Sequence, residues 1–291
     1  MRPVVLKIRL AAAVTIVVAL AFPSPAQPLR APAQQPVEEP AASPPQMHDI
    51  LLRLQENLWD YLGHVPDVFA DEHVVSVLKQ EGSRDVKTTT DSVFRLVRSK
   101  TLGEEHIFTE TREIKLVNRK PAKNDDLRGP AIFTGAFSTG VAMVSLEMSR
   151  CFDYTLEPST LLNKVPAIPI AFVLKPDMLN DDSCPGPEPQ SGRAWFEPGT
   201  FHPLRVEMVI PNHRDNNGLR VLWTWSVEYA PVTFDSRQFW LPRTIASNAV
   251  ANNASGVWSF TATYSNYHKL NVSSRIITDP ENSSPPPPPQ P

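Results

Sequence analysis

Residues 221–229, VLWTWSVEY, have the clearest secondary-structure pattern in the chain. Apolar side chains occupy every second position in this stretch, and Thr224, Ser226 and Glu228 lie between them. A period of two is typical of a β-strand with one packed face and one solvated face. The pattern therefore predicts an antiparallel strand.

The same alternation recurs on both sides of this stretch, which predicts a large antiparallel sheet. Three upstream runs separated by polar turns predict a meander: residues 69–78, 92–98 and 107–117. Further strands are predicted after Cys151: residues 152–156, 168–174, 194–196, 204–210, 239–246 and 258–264.

Two segments follow helical spacing instead. The first has apolar side chains at Met47, Ile50, Leu51, Leu54, Leu58 and Leu62, and Gly63 and Pro66 end it. The second runs from Phe133 to Met148, where Gly135 and Gly140 weaken the helix and allow a close approach to the sheet. The predicted class is α+β, with an N-terminal helix and one further helix packed on the sheet.

The N-terminal residues 1–26 have the three parts of a secretory signal peptide. Basic residues precede an apolar run from Leu10 to Phe22, and Ser24-Pro25-Ala26 offers small residues for cleavage. The run is short for a membrane span, and no cysteine follows it for a lipid anchor. We therefore expect a periplasmic or secreted protein that is not an integral membrane protein.

Proline-rich segments flank the predicted domain. Residues 27–45 read as a disordered linker and residues 280–291 as a disordered tail, which leaves residues 46–279 as a single domain. Loss of the three basic residues of the signal peptide changes the net charge from −3 to −6. An acidic chain argues against nucleic acid as a partner.

The two cysteines, Cys151 and Cys184, are expected to form a disulfide in an oxidising compartment. A bridge over a loop of this length would stabilise the fold by about 3–4 kcal/mol. The alternative, a redox pair or a nucleophile, lacks both a Cys-x-x-Cys spacing and an activating neighbour.

No pattern predicts catalytic residues, a metal site or a cofactor. Residues 135–140, GAFSTG, lack the spacing of a nucleophile elbow, and Ser76 with Lys79 matches a serine–lysine pair only in a strand-like segment. Glu72-His73 and Glu104-Glu105-His106 offer a weak metal-site pattern across neighbouring strands. Asn253, Asn271 and Asn282 are glycosylation acceptors only in a host that glycosylates its exports.

Aromatic side chains on consecutive strands are the remaining candidate site: Trp223, Trp225, Tyr229, Trp258, Phe260 and Tyr264. One interpretation is that they form the core beneath the helices, where aromatic strand residues usually pack. The other is that they line an apolar cleft for an acyl chain or another hydrophobic ligand. The sequence leaves both interpretations open.

Residues 192–207, GRAWFEPGTFHPLRVE, carry a family resemblance. A strand leads into an acidic-Pro-x-Thr turn and then into Pro-x-Arg-x-Glu, and this hairpin resembles the bacterial outer-membrane lipoprotein-sorting superfamily, the LolA/LolB/RseB-like fold. The resemblance implies a curved sheet, a half-barrel, with helices across its concave side and an apolar cleft for lipid.

These observations support three hypotheses for the function. The first is an exported binding protein that holds a lipid or another apolar ligand between sheet and helices. The second is an envelope-associated structural or adaptor protein that has an envelope protein as its partner and is tethered by its proline-rich flanks. The third is a secreted hydrolase that draws catalytic groups from separated loops, such as Glu72, His73, His202 or Asp235.

Overall fold

A computed structural model describes residues 46–80, 82–98, 108–123, 135–215, 218–251 and 256–270. Several predicted features lie outside these residues: the signal peptide, both proline-rich flanks, Glu104-Glu105-His106, Asn253, Asn271 and Asn282.

The first helix, α1, runs from Met47 to His64. Its buried side chains include Ile50, Leu51, Leu54 and Leu58, which are the apolar positions that the sequence pattern assigns to one face. The helix ends where the N–H of Val65 donates to the carbonyl oxygen of Tyr61 at 3.0 Å. The predicted N-terminal helix is therefore confirmed, with its apolar face toward the sheet.

Twelve strands in the described part of the chain form one antiparallel sheet. The strands are β1 (Val68–Gln80), β2 (Val86–Arg98), β3 (Phe108–Val117), β4 (Lys120–Pro121), β5 (Phe152–Leu156), β6 (Thr160–Leu162), β7 (Val165–Leu174), β8 (Ser191–Phe196), β9 (Pro203–Arg214), β10 (Arg220–Phe234), β11 (Arg237–Ala251) and β12 (Gly256–Lys269). Their order is β4-β3-β2-β1-β12-β11-β10-β9-β8-β7-β5, and β6 pairs with β7. The sheet does not close, and with its helices it confirms the predicted α+β class.

The inner face of the sheet carries the core. One row of neighbouring positions crosses five strands from Met208 through Trp225, Ser247 and Phe260 to Ser76. All five side chains of this row are buried. The quoted stretch in β10 therefore contributes its alternate residues to the packed face, as its period of two predicts.

The second helix, α2, is shorter than the predicted helix over residues 133–148. It spans only Ala136–Ala142, and a separate 3₁₀ turn follows at Glu147–Arg150. Gly135 precedes α2 with a φ of 84°. The hydroxyls of Ser145 and Ser149 donate to the carbonyl oxygens of Ala142 and Leu146 at 3.1 and 2.6 Å. Such side-chain bonds to the backbone compete with a continuous helix.

Candidate functional site

A pocket lies between α1 and the inner face of the sheet, at the end where β8 turns into β9. Its volume is about 60 Å³. The apolar and aromatic lining residues are Leu54, Leu58, Tyr61, Val141, Val144, Phe196, Phe201, Pro203, Phe239 and Trp240. The polar ones are Asn57, Asp60, His202 and Gln238. A mostly apolar wall with a few polar groups is the usual composition of a small-molecule site.

The turn between β8 and β9 forms one wall of this pocket and is fixed by its own hydrogen bonds. The N–H of Glu197 donates to the carbonyl oxygen of His202 at 2.9 Å, and the N–H of Phe201 donates to that of Glu197 at 3.0 Å. Phe201 has a φ of 56°. This left-handed backbone turns the buried ring of Phe201 into the pocket wall.

Polar contacts attach α1 to the rim of the pocket. The Asn57 side-chain amide donates to the carbonyl oxygens of Thr200 at 2.9 Å and Phe201 at 3.1 Å. Asp60 forms an ion pair with Arg237 of β11. Since both contacts are exposed or part-buried, each contributes only about 1 kcal/mol.

His202 and Trp240 form a stacked pair in the pocket wall. Their ring centroids are 3.6 Å apart and their planes differ by 13°. Nδ1 of His202 lies 3.5 Å from a carboxylate oxygen of Glu197 and has no hydrogen-bond partner in the described part of the chain. The pair therefore offers the pocket an apolar ring surface together with one available ring nitrogen.

An ionic cluster lies on the inner face under α2. Nε of Arg112 donates to the two carboxylate oxygens of Glu72 at 2.8 and 3.1 Å. The Tyr264 hydroxyl donates to Oε1 of Glu72 at 2.9 Å, and the Arg112 guanidinium lies 5.0 Å from the ring centroid of Phe94. Burial raises the pKa of Tyr264 well above its ordinary value, so its hydroxyl stays a neutral donor.

Glu110 extends this cluster to the start of α2. Its Oε1 accepts the N–H of Gly135 at 3.0 Å and of Phe137 at 3.4 Å. Burial raises the pKa of Glu110, while the charge of Arg112 and the two N–H groups oppose that rise. The carboxylate thus holds the helix terminus against the sheet while sitting in an environment that disfavours its charge.

Three further contacts bind α2 and the residues after it. The Tyr61 hydroxyl donates to the carbonyl oxygen of Phe137 at 2.9 Å, and the Tyr154 hydroxyl donates to that of Met143 at 2.8 Å. The Phe137 ring stacks on Phe94 with centroids 4.6 Å apart. This short segment is therefore fixed from α1, β2 and β5 at once.

The six predicted aromatic residues occupy two environments. Trp225, Tyr229, Phe260 and Tyr264 are buried in the core, whereas Trp223 and Trp258 are half-buried and both neighbour Ala249. None of the six lines the pocket under α1, and Trp225 and Phe260 border a separate depression of about 360 Å³. Their role in ligand binding stays a prediction.

The residues suggested for a hydrolase do not come together. Glu72 is buried with Arg112, while the adjacent His73 points to the other face and contacts Asp91 at 2.5 Å. Asp235 pairs with Lys269 at 3.0 Å, and His202 lies in the pocket. Across the described residues, no group of three or more His, Cys, Asp or Glu side chains is placed to hold a metal ion.

Cys151 and Cys184 form the predicted disulfide. It joins the end of the 3₁₀ turn to the loop before β8 across 33 residues of sequence. A structural disulfide fits a periplasmic or secreted protein. Of the helices described, none combines the length and the apolar character that a membrane crossing needs.

The sequence predicted an apolar cleft between helices and sheet, but of the residues that line the pocket it named only His202, and of the ionic cluster only Glu72 and Tyr264. The pocket walls come from α1, the β8–β9 turn and β11, which are far apart in sequence, so no local pattern marks them. The ionic cluster could have been partly recognised from the sequence. Glu110 and Arg112 are two positions apart in a predicted strand, which places both on one face.

No protein-family model and no curated protein matches this sequence. Among solved structures, the chain resembles an outer membrane lipoprotein-sorting protein domain from Vibrio parahaemolyticus, with 14% identity, a TM-score of 0.35, and coverage of 76% of this chain and 92% of that one. It also resembles a LolA superfamily protein from Nitrosomonas europaea, with 11% identity, a TM-score of 0.31, and coverage of 78% and 96%.

A third similar structure is the MucA/MucB complex of Pseudomonas aeruginosa, with 10% identity, a TM-score of 0.21, and coverage of 75% of this chain and 93% of that one. Two of these structures carry names from the superfamily that the hairpin at residues 192–207 resembles.

Proposed function

We propose that this chain is an exported binding protein that holds a lipid or another apolar ligand between α1 and the sheet. The observation that carries the proposal is the apolar pocket under α1, in which aromatic and aliphatic side chains surround a few polar groups. Burial of apolar ligand surface against such walls supplies the binding free energy, about 25 cal/mol per Å².

The size of the pocket requires that it opens. Sites for small molecules usually have volumes of about 300–1,000 Å³, whereas this one has about 60 Å³. The contacts of Asn57 and Asp60 with the rim are few and accessible to water, so breaking these polar contacts costs little. At its C-terminal end α1 is held more firmly, since Arg98 donates to the carbonyl oxygens of Leu62 at 2.6 Å and Val65 at 3.2 Å.

A titration with a fluorescent fatty acid tests this proposal. We expect the wild type to bind cis-parinaric acid and Leu58→Gln to bind it about tenfold more weakly, because an amide then replaces an apolar wall. Leu52→Gln is the matched control, since Leu52 lies on the exposed side of the same helix. Equal binding by both variants, with melting curves proving both folded, would contradict the proposed site.

The domain organisation and the export signal belong to the same proposal. Cleavage after Ala26 would release a chain with a linker at residues 27–45, a domain at residues 46–279 and a tail at residues 280–291. The disulfide between Cys151 and Cys184 supports export to an oxidising compartment. N-terminal sequencing of the protein from the host envelope should begin at Gln27, and a chain that retains Met1 would contradict cleavage.

A further inference from the structure

The interior under α2 contains more negative than positive charge. The side chains of Glu72, Arg112 and Glu110 expose only 1%, 8% and 8% of their surface. In the described part of the chain, Arg112 is the only cation within ion-pair distance of either carboxylate. Two ionised carboxylates and one guanidinium leave a net charge of about −1 in a region that solvent barely reaches.

The single cation is committed to Glu72. The Nε–H of Arg112 is shared between the two oxygens of that carboxylate, and the Tyr264 hydroxyl is a second donor. Glu110, by contrast, has only its Oε1 satisfied, by the N–H groups of Gly135 and Phe137.

The second carboxylate oxygen of Glu110 has no hydrogen-bond donor in the described part of the chain. The nearest positive group is Nη2 of Arg112 at 3.7 Å, beyond hydrogen-bond distance. A buried carboxylate oxygen without a donor is costly, which makes this position a site for an added cation or N–H group.

Glu110 is linked to the wall of the pocket through one residue, Phe137. Tyr61 lines the pocket, and its hydroxyl bonds to the carbonyl oxygen of Phe137. The N–H of the same residue, Phe137, donates to Glu110. A ligand that displaces the Tyr61 hydroxyl from Phe137 therefore acts on the same residue whose N–H holds the Glu110 carboxylate.

We propose that the ligand of this pocket carries a positively charged, hydrogen-bond-donating end, a primary ammonium on an apolar chain, and that this end binds Oε2 of Glu110. The inference rests on the proposed function and names the chemical class of the ligand. An ammonium group supplies three donors and one positive charge, which satisfies the free oxygen and neutralises the cluster.

Binding of an ammonium group also changes the proton balance of the site. Burial raises the pKa of Glu110 in the free protein. An adjacent positive charge lowers the pKa of a carboxyl group. Binding of an amine at weakly acidic pH therefore releases a proton from Glu110, whereas binding of an alcohol of the same length does not.

The test compares three probes of equal chain length on the full chain: dodecylamine, dodecanol and dodecanoate. Each competes below its aggregation concentration with the neutral dye N-phenyl-1-naphthylamine. We expect the wild type to bind dodecylamine about tenfold more tightly than dodecanol, with dodecanoate weakest. Glu110→Gln keeps an acceptor for the N–H groups of α2 and should bind the amine and the alcohol within about threefold of each other.

Glu113→Gln is the matched control, because Glu113 lies on the same strand, is half-exposed and pairs with Arg95 and Lys115. It should keep the wild-type preference. Equal binding of amine and alcohol by the wild type, or a preference that survives in Glu110→Gln, overturns this inference while leaving the proposed function standing. Failure of all three probes and the dye to bind overturns both.

Discussion

At the residue scale, Tyr229 ends in a buried hydroxyl that has no hydrogen-bond partner in the described part of the chain. Gly140 of α2 lies directly against it, and a Cβ at position 140 would overlap the hydroxyl oxygen. The sequence suggested that the glycines let this helix approach the sheet closely, and Gly140 does so at Tyr229. The contact fixes how near α2 lies to β10.

We expect Gly140→Ala to destabilise the fold by about 1–3 kcal/mol through overpacking, although alanine favours helix. Tyr229→Phe should be neutral or stabilising by about 1 kcal/mol, since it removes an unpaired buried hydroxyl. The double variant should therefore lose less than the sum of the single changes. Denaturant unfolding of all four proteins measures the coupling, and strict additivity would contradict the close contact.

The buried carboxyl group of Glu110 leads to a prediction about pH. Its folded pKa is raised, so its contribution to stability is present below its unfolded pKa and is lost as pH rises through the folded value. The free energy of unfolding of Glu110→Gln minus that of the wild type should therefore increase from about pH 4 upward. Chemical unfolding at several pH values measures this difference.

Glu113→Gln is a control for which the pH dependence of the unfolding free energy should have the opposite sign. Hydrogen bonds from Lys115 and Arg95 lower the pKa of Glu113, so its contribution appears above its unfolded pKa and is lost as pH falls. The corresponding difference for Glu113→Gln should decrease as pH rises. A difference for Glu110→Gln that stays flat with pH would refute the environment assigned to that carboxylate.

At the scale of the element, the proposed function requires α1 to be the wall of the pocket that moves. It is attached to the β8–β9 turn through the amide of Asn57 and to β11 through Asp60. The buried face of α1 packs on the core, while the contacts of Asn57 and Asp60 are partly accessible to solvent. We therefore expect these few polar contacts at the rim to influence how fast the pocket opens for a ligand.

Asn57→Ala should accelerate ligand uptake because it removes the two hydrogen bonds from α1 to the turn. The expected loss of stability is about 1 kcal/mol. Stopped-flow fluorescence with cis-parinaric acid measures the association rate, and Asn180→Ala in an exposed loop is the control. An unchanged rate for Asn57→Ala would contradict the assignment of α1 as the movable wall.

Where apolar residues recur at regular spacing, the sequence correctly predicted whether a segment is a helix or a strand. The stripe of α1 and the alternation in β10 predicted one buried face each, and both faces are buried. The length of α2 did not follow, because Ser145 and Ser149 bond to the backbone after a short helical stretch. The pocket could not be predicted, since Phe201 and Trp240 meet α1 only through tertiary packing.

At the scale of the whole molecule, the disulfide fastens one end of the open sheet. Cys151 precedes β5, the last strand of the sheet order, and Cys184 lies in the long connection before β8. An open sheet with a terminal strand of five residues gains from such a covalent link.

Replacement of both cysteines, Cys151→Ser with Cys184→Ser, should lower the free energy of unfolding by about 3–4 kcal/mol, from a closed loop of 33 residues. Denaturant unfolding of the variant and of the reduced wild type measures the loss. The ligand affinity at temperatures where the variant is folded should not change, because the bridge does not line the pocket. Equal stability with and without the bridge would contradict this role.

Photolabelling with a diazirine-bearing fatty alcohol, followed by peptide mass spectrometry, shows whether an apolar ligand binds between α1 and the sheet. We expect adducts on peptides that carry Leu54 and Leu58 of α1 and on those that carry Phe201, Phe239 and Trp240. Labelling confined to the peptides with Trp223 and Trp258, or no specific labelling, would contradict the account.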